Sequence, residues 1–512
     1  MTKFRITAFW LALIFVASAG FTQTAYAQQD GQLSVAGIFG NGMVLQQETA
    51  AAIWGQAEPK AKITIKTSWQ KKATVATADK TGNWKTTIDT PKAGGPFTIE
   101  VVSGSQRKQF KNVLTGEVWF CTGQSNMQWK MRGFGANHWK DDVQKANHPG
   151  IRLCEVQQKL ALEPQADNKV SWSACNPKRV LSFSAVAYFF GNRLHQELKV
   201  PVGLISTNWG GSSAEAWMNP EVLEKNFPEF KKTLNGYDGL IKQHGVVHAN
   251  RGKPKGFNQR MPGVLYNQMI HPFVPFSCRG VIWYQGESNV KEPIQYRKLF
   301  PALIENWRAE WGQGDFPFYF VQIAPFHYKT EPLPVAMLRE AQFQTLRLPN
   351  TGMVVTMDIG QADNIHPKKK KPVGERLAIL ALAKNYGRTK LVYSGPQFVG
   401  HEIEKKQVRL KFEHVGGGLK SRDDKALTHF TIAGKNRVFH PAEAKVDGES
   451  IVVSSPKVAR PAAVRFAWGN ADEPNLTNAE GLPSSSFRTD DWEIKPVTPK
   501  RPARRKPKTK EK

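Results

Sequence analysis

The pattern of apolar and polar residues divides the chain into three regions. From residue 33 to about 113, apolar and polar residues alternate in runs such as "AKITIKTSW" and "PFTIEVVSG", with glycine and proline turns between them. This alternation is typical of strands that bury one face, so we predict an N-terminal antiparallel β-sandwich domain over residues 28–113. The pattern returns in "KQVRLKFEHV" and "SIVVSS", which predicts a second antiparallel β domain over residues 391–495.

The middle region, residues 114–390, has a different pattern. Five apolar runs ("EVWFC", "VGLIST", "GVIWY", "FPFYFVQI" and "GMVVTMD") are separated by stretches with helical spacing such as "AVAYFFGNRLHQEL" and "GERLAILALAKNYG". Strands that alternate with helices are typical of a parallel sheet with helices on its faces. We therefore predict an α/β domain here, and we interpret the polar, basic residues 225–262 as an insertion in it.

The two ends of the chain differ from the regions between them. Residues 1–27 combine a positive start (Lys3 and Arg5), an apolar run over 9–19 and the small-x-small string "AYA", which is typical of a signal peptide. We expect the protein to be secreted or periplasmic, and no later run of apolar residues predicts a membrane span. Residues 496–512 are rich in Lys, Arg and Pro. They are interpreted as a basic tail, suited to contact with an anionic surface.

Composition narrows the classes of function. The chain has 512 residues, 40% of them hydrophobic, which indicates a folded protein of several domains. Its net charge is +28, but no nucleic-acid-binding motif accompanies the charge, and we expect no nucleic-acid partner. No CxxC spacing predicts a metal site. In an exported chain the cysteines leave three disulfide pairings open, although Cys121 lies in an apolar run and favours a buried thiol. The four are Cys121, Cys154, Cys175 and Cys278.

Polar loops follow four of the five predicted strands. In open α/β sheets, ligands bind beyond the carboxyl ends of the strands, so these loops are expected to meet at one edge and to form the functional site. In chain order they contain Gly123-Gln124-Ser125, Asn208-Trp209-Gly210-Gly211, Gln285-Gly286-Glu287-Ser288-Asn289, and Asp363 with His366.

These residue types fit a serine hydrolase. A serine hydroxyl needs a base to take its proton and a carboxylate to orient that base. We assign Ser125 as the nucleophile, His366 as the base and Asp363, three residues earlier, as the orienting carboxylate. Each pattern alone is more often structural, and their joint placement at the strand ends favours the assignment. The candidate oxyanion donors are backbone N–H groups or a side-chain amide, namely Gly210, Gly211 and Gln285.

Several strings resemble one family. The segments "GEVWFCTGQSNMQW", "NWGGSSAEAW", "GVIWYQGESN" and "DNIHPKKKKPVGERLA" are similar to signature segments of the sialate O-acetylesterase-like branch of the SGNH (GDSL-like) hydrolases. The resemblance runs from about residue 33 to 490. It implies a three-layer α/β/α catalytic domain with a parallel sheet over 114–390, and no metal or cofactor. It also implies removal of acetyl groups from O-acetylated sugars through an acetyl-enzyme on Ser125, with Asp363 and His366 completing the triad.

The third segment departs from the SGNH pattern. Most SGNH enzymes have Gly-x-Asn-Asp there, whereas this chain has Gln285-Gly286-Glu287-Ser288-Asn289. We therefore favour Gln285 as the side-chain oxyanion donor and place Asn289 nearer the sugar. The resemblance further suggests substrate contacts, with Trp129 or Trp217 stacking on a sugar ring. The predicted substrate-binding residues are Asn126, Asn267, Glu287, Asn289 and Arg339.

Three questions stay open from the sequence. The run Lys368–Lys371 either attracts an anionic substrate such as sialic acid or is a solvated cluster, and if close it disfavours the His366 imidazolium. An esterase acting on xylan or another acetylated plant or algal polysaccharide is the alternative function. A non-catalytic glycan-binding protein is the more distant alternative, and acetate release would exclude it.

Overall fold

The computed structural model describes residues 31–135, 137–249, 253–328 and 333–494. The predicted signal peptide and basic tail lie outside the described residues. Within those ranges, none of the helices combines the length and the apolar character needed to cross a membrane.

The first region consists of strands that pair mostly antiparallel. Alternate residues of β4 are buried, with Ile63 and Ile65 at most 1% exposed, as its pattern predicts. One sheet has the order β1-β3-β6; in the other, β4 pairs with β5 and β7, β7 with β8, and β2 runs parallel to β8. The strands are β1 (Ser34–Val35), β2 (Val44–Gln46), β3 (Ala50–Gln56), β4 (Lys62–Thr67), β5 (Thr74–Thr77), β6 (Asn83–Asp89), β7 (Gly94–Ser103) and β8 (Gln106–Gly123).

The middle region alternates strands and helices, as predicted. Its strands are β9 (His148–Glu155), β10 (Lys159–Ala161), β11 (Trp172–Cys175), β12 (Val202–Asn208), β13 (Val247–Ala249), β14 (Gly280–Tyr284), β15 (Phe318–Val321) and β16 (Thr351–Val354). Its helices are α1 (Ser125–Gln128), α2 (Lys140–Gln144), α3 (Pro177–Val180), α4 (Ala185–Leu198), α5 (Pro220–Asn226), α6 (Pro228–Leu234), α7 (Tyr237–His244), α8 (Pro293–Trp311), α9 (Leu333–Gln344) and α10 (Lys370–Asn385).

The central sheet has the order β11-β9-β12-β8-β14-β15-β16. All neighbours along it are parallel except β11 and β9. The five predicted strands are confirmed as β8, β12, β14, β15 and β16, but the sheet is mixed rather than purely parallel. The sequence prediction missed β9, whose apolar run contains Arg152. This residue is 5% exposed, and its guanidinium donates to the carbonyl oxygens of Pro149 and Gly42.

Helices cover both faces of the central sheet. Trp119 and Cys121 of β8 pack with residues of α4 and α10, whereas Val118 and Phe120 pack with α8 and with the N-terminal strands. This alternation follows from the two-residue period of a strand. The insertion begins at the end of α5 and forms α6, α7 and β13, and β13 pairs with β10.

Strand β8 crosses the predicted boundary at residues 113/114. Its first part pairs antiparallel with β7, up to Thr115. From Glu117 onward it pairs parallel with β12, and from Trp119 with β14. One continuous strand of 18 residues therefore belongs to both sheets, and no linker separates the two regions.

The C-terminal region is antiparallel, as predicted. Its sheets have the orders β17-β18-β23-β22, β21-β20-β24-β26 and β19-β25. The strands are β17 (Gln397–Glu404), β18 (Gln407–Glu413), β19 (Leu419–Ser421), β20 (Phe430–Ala433), β21 (Phe439–Pro441), β22 (Glu443–Asp447), β23 (Ser450–Ser454), β24 (Ala463–Phe466), β25 (Leu476–Asn478) and β26 (Phe487–Arg488).

The four cysteines are free thiols, and all are buried. Burial raises the pKa of Cys175 and of Cys278 to about 12, so neither forms the reactive thiolate at neutral pH. We expect a thiol-specific reagent to label none of the four in the native protein and all of them after denaturation without reductant. Fewer than four thiols in the denatured protein would indicate a disulfide and contradict this expectation.

Candidate active site

Ser125 lies at a sharp turn after β8. Gly123 has φ +137°, and a Cβ atom there would lie 2.2 Å from the carbonyl oxygen of Tyr284, so only glycine fits at this position. The N–H of Gln124 donates to the same oxygen at 2.9 Å. The chain then enters α1, whose first residue is Ser125. The turn presents the serine hydroxyl beyond the end of the central strand.

The structure brings Ser125 and His366 together. The Nε2 atom of His366 lies 2.9 Å from Ser125 Oγ, a hydrogen-bond distance suited to proton transfer. His366 lies between β16 and α10, where its backbone N–H donates to Asn364 Oδ1 at 2.9 Å. Its ring lies 4.7 Å from the ring of Trp129. The pair has the geometry of a nucleophile and its base.

The structure does not bring Asp363, the predicted orienting carboxylate, into contact with His366. The side chain of Asp363 is exposed, and among the described residues it forms no hydrogen bond or ion pair with His366. The offset of three residues lies in a loop rather than in a helix, so it does not place the two side chains on one face. The ring of this histidine contacts Trp129, and its backbone N–H is bonded to Asn364.

A buried polar network lies beside the pair. Asn126 Nδ2 donates to Glu287 Oε1 at 2.6 Å and to the carbonyl oxygen of Ile365 at 3.1 Å. The ammonium group of Lys370, a residue with 0% exposure, donates to Asn126 Oδ1. Asn126, predicted to bind substrate, therefore links Glu287, Lys370 and the backbone next to His366.

Burial shifts the pKa values of the ionisable groups in this network. It lowers the pKa of Lys370 to about 7, with the Glu287 carboxylate opposing the shift. It also raises the pKa of Glu287. The pKa of His366 is lowered, first by burial and then by the charge of Lys370, as the sequence predicted for a nearby lysine. Lys371, in the same run of lysines, instead forms an ion pair with Asp142 at 2.7 Å.

Gly210 and Gly211 lie in the loop after β12, next to Ser125. A Cβ atom on Gly210 would lie 3.3 Å from Ser125 Cβ. The N–H of Gly210 already donates to Gln128 Oε1 at 2.6 Å. The N–H groups of Gly211 and of Ser125 have no partner among the described residues, which makes them the available oxyanion donors.

The other predicted oxyanion donor, Gln285, is committed to the core. Its side-chain amide donates to Asn289 Oδ1 at 2.6 Å and to the carbonyl oxygen of Ser212 at 3.3 Å, which uses both of its N–H bonds. Asn289 is 5% exposed and accepts from the N–H of Ala214 at 3.0 Å. Both residues support the loop after β12, and the predicted oxyanion and sugar roles are corrected accordingly.

Three further candidates lie in the core, away from the cavity. Asn267, with 0% exposure, donates to the carbonyl oxygen of Ala161 at 3.0 Å. Arg339, also at 0%, donates to the carbonyl oxygens of Gly469 and Asn470 and so joins α9 to the C-terminal region. Trp217 is likewise at 0% exposure. Their predicted contacts with substrate are not supported.

Two cavities meet at the Ser125–His366 pair. The larger, which we name the main cavity, has a volume of about 770 Å³. The side cavity, about 330 Å³, lies beside Trp129, whose ring also stacks on Phe134 at 4.7 Å. Besides the pair, the main cavity is lined by Gln124, Gly210, Gly211, Arg260, Glu287, Ser288, Val290, Lys291, Tyr328 and Ile365. Among the predicted substrate-binding residues, Glu287 alone appears in this lining, and its Oε2 atom is shielded and unpaired.

The sequence analysis missed several residues of the site. Arg260 and Lys291 line the main cavity from the end of the insertion and from the turn before α8, where charged residues resemble any solvated loop. Lys370 was hidden in a run of lysines. The sequence feature that could have identified Lys370 is the helical spacing of α10. Lys370, Val373 and Leu377 share the buried face of this helix. Throughout the described ranges, no cluster of three or more His, Cys, Asp or Glu side chains is arranged to hold a metal ion.

Comparisons with known proteins identify the family of this chain. A family model described as carbohydrate esterase, sialic acid-specific acetylesterase, matches residues 115–383. Human sialate O-acetylesterase is 32% identical over 398 residues, covering 70% of this chain and 72% of the human protein. The mouse protein of that name is 31% identical over 403 residues, covering 70% and 74%. A carbohydrate acetylesterase from Xanthomonas citri, with a known crystal structure, is 38% identical, with a TM-score of 0.79 over 90% of this chain and 100% of that chain.

Proposed function

Because the chain belongs to the sialic acid-specific acetylesterase family of carbohydrate esterases, we propose that Ser125 and His366 carry its catalytic activity. The protein is a carboxylic ester hydrolase, a carbohydrate O-acetylesterase. The observation that carries the proposal is the 2.9 Å contact between Ser125 Oγ and His366 Nε2, at the end of β8 and open to the main cavity. We also assign the central sheet to the SGNH-type α/β/α arrangement, with a β domain on each side.

In the proposed first step the enzyme is acetylated. Ser125 Oγ attacks the acetyl carbonyl carbon while His366 Nε2 takes the hydroxyl proton. The N–H groups of Gly211 and Ser125 stabilise the oxyanion, each contributing roughly 3 kcal/mol. The tetrahedral intermediate collapses by breaking the bond to the sugar oxygen, which takes the proton from His366.

In the second step water releases the acetate. His366 takes a proton from a water molecule, which attacks the acetyl carbon on Ser125. Collapse of the second intermediate returns the proton to Ser125 Oγ and frees acetate. Both steps need a neutral His366 at the start, so its lowered pKa keeps the base in its working form at mildly acidic pH.

We propose that the sugar occupies the main cavity. Arg260 and Lys291 in its lining suit an anionic sugar such as sialic acid. The side cavity favours one alternative, a longer acetylated polysaccharide that continues past the catalytic pair. The test is acetate release from O-acetylated sialic acid, acetylated xylan and an acidic acetylated polysaccharide, each with a Ser125→Ala control. Release that the variant matches would contradict the proposal.

The charge of Lys370 predicts a change in the pH profile. Lys370→Met removes a positive charge near His366, so the pKa of His366 should rise. Because protonated His366 cannot act as the base, the acidic limb of the kcat/KM profile should move to higher pH. The control is Lys368→Met, an exposed lysine of the same run, which should leave the limb in place. An unmoved limb in Lys370→Met would contradict this assignment.

The exposed position of Asp363 predicts a small effect on activity. An aspartate that orients a catalytic histidine typically contributes about 10⁴-fold to kcat. We expect Asp363→Asn to keep kcat within about threefold of the parent, because the carboxylate does not contact the imidazole. Steady-state kinetics with a small acetate ester would measure this. A loss of roughly 10³-fold or more would show that the carboxylate reaches His366 during turnover.

We also propose that the protein is exported. The support is the charged start, the apolar run and the "AYA" string of residues 1–27. The basic residues 496–512 support a tail that contacts an anionic surface. Fractionation of cells expressing the full chain, with the activity assayed in each fraction, would test the export proposal.

A further inference from the structure

A segment at the end of the insertion lies over the loop that carries the two glycines. We name residues 253–262 the strap; it contains turns but no helix or strand. Gln259 Nε2 donates to the carbonyl oxygen of Gly210 at 3.0 Å, and Arg260 Nε donates to that of Gly211 at 2.9 Å. Two consecutive strap residues therefore hold two consecutive carbonyl groups of the loop.

These contacts fix the direction of one particular N–H group. A peptide unit is planar and trans, so the carbonyl oxygen of Gly210 and the N–H of Gly211 point in opposite directions from the same plane. When Gln259 holds that oxygen, it also aims the Gly211 N–H. Arg260 holds the next peptide unit, so the planes on both sides of Gly211 are restrained. These restraints act where the backbone is freest, because Gly211 has a φ of +74° and glycine has the widest backbone freedom.

The strap is itself anchored within the insertion. Phe257 is 5% exposed, and its ring packs on the ring of His248 at 4.7 Å. The hydroxyl of Tyr237, on α7, donates to the carbonyl oxygen of Pro262 at 2.7 Å. Within the strap, the N–H of Arg260 donates to Asn258 Oδ1 at 2.9 Å. The rest of the insertion therefore holds the strap at its middle and at its last residue, and the strap in turn restrains the loop.

We propose that Gln259 and Arg260 are positioning residues that aim the Gly211 N–H at the oxyanion of the tetrahedral intermediate. The inference rests on the proposed function, in which Ser125 attacks the acetyl group. It gives the insertion a role in the chemistry: its helix α7 and strand β13 contact the strap from outside the central sheet. Without the strap, the peptide unit between Gly210 and Gly211 can rotate, and its N–H leaves the site.

The test uses the full chain and a small, neutral, activated acetate ester. A neutral ester excludes any contribution of Arg260 to recognition of an anionic sugar. Gln259→Glu keeps the shape of the side chain but removes its N–H donor, and Arg260→Ala removes the second contact. We expect each to lower kcat roughly 10- to 100-fold with KM changed by less than about threefold. Affinity for methylboronic acid, which forms a tetrahedral adduct on serine, should fall in parallel with kcat/KM.

Two controls make the outcome decisive. Lys255→Ala removes an exposed cation of the same strap and should leave kcat unchanged. Ser125→Ala, assayed alongside, tests the proposed function separately: if it keeps parental turnover, that function fails.

If Ser125→Ala is inactive but both strap variants keep kcat and boronate affinity within twofold, the strap inference alone is overturned. A rise in KM with parental kcat would also overturn it, because it would show a direct substrate contact. Thermal unfolding identifies folded variants, and Gln259→Glu provides the test if Arg260→Ala does not fold.

Discussion

Replacement of Ser125 by alanine should lower kcat/KM by roughly 10⁴- to 10⁶-fold, the loss seen when a serine hydrolase loses its nucleophile. The reason is that Ser125 Oγ lies 2.9 Å from His366 Nε2, and no other hydroxyl among the described residues lining the two cavities is bonded to a histidine. The fold should be unaffected, because the alanine removes a single oxygen atom from a half-buried residue. Acetate release and thermal unfolding measure the two effects.

A covalent intermediate makes this prediction sharper. Rapid quenching of the parent with substrate should yield a protein whose mass has increased by one acetyl group, located on the peptide containing Ser125. Ser105→Ala, at an exposed turn between β7 and β8, is the matched control and should behave as the parent. An acetylated Ser125→Ala protein, or one with parental turnover, would assign the chemistry to a different residue.

Gly123→Ala should both destabilise the protein and abolish activity. The new Cβ would lie 2.2 Å from the carbonyl oxygen of Tyr284, and φ is +137°, so the pairing of β8 with β14 must shift. We expect a loss of about 3 kcal/mol or more in the free energy of unfolding. Ser125 would be displaced with the turn, which should reduce kcat at least 100-fold.

The control for this variant separates backbone conformation from steric overlap. Gly104 also has a positive φ, +57°, but a Cβ there would meet no atom within 4 Å. Gly104→Ala should therefore cost only about 1–2 kcal/mol and leave turnover intact. Equal losses of stability in the two variants, measured by denaturant unfolding, would show that the contact with Tyr284 is not the cause.

The strands and the nucleophile–base pair were predictable from the sequence because both depend on short-range rules. A short run rich in β-branched and aromatic residues such as "GVIWY" favours a buried strand, and the ends of parallel strands meet at one edge. Ser125 and His366 follow two such ends, so the topology places both at the same edge of the sheet, and the family resemblance pairs them. Neither conclusion requires knowing the direction of a single side chain.

Side-chain direction is what the sequence did not determine. Asp363 and Gln285 have suitable chemistry at suitable offsets, yet one points to solvent and the other is bonded in the core. A loop offset of three residues does not fix an angle, and an amide after a strand can turn inward as easily as outward. Arg339 shows a related limit, because its partners are carbonyl groups 130 and 131 residues away.

The continuity of β8 has a consequence for how this protein can be divided. A fragment that begins at residue 114 would start in the middle of a strand, and a fragment that ends there would carry an unpaired, aggregation-prone edge. The β domain and the esterase domain are therefore unsuited to exchange as independent modules, whether in the laboratory or by gene rearrangement. Gly123, next to the nucleophile, ends the same continuous strand that pairs with the N-terminal sheet, so that sheet is part of the structure that carries the active site.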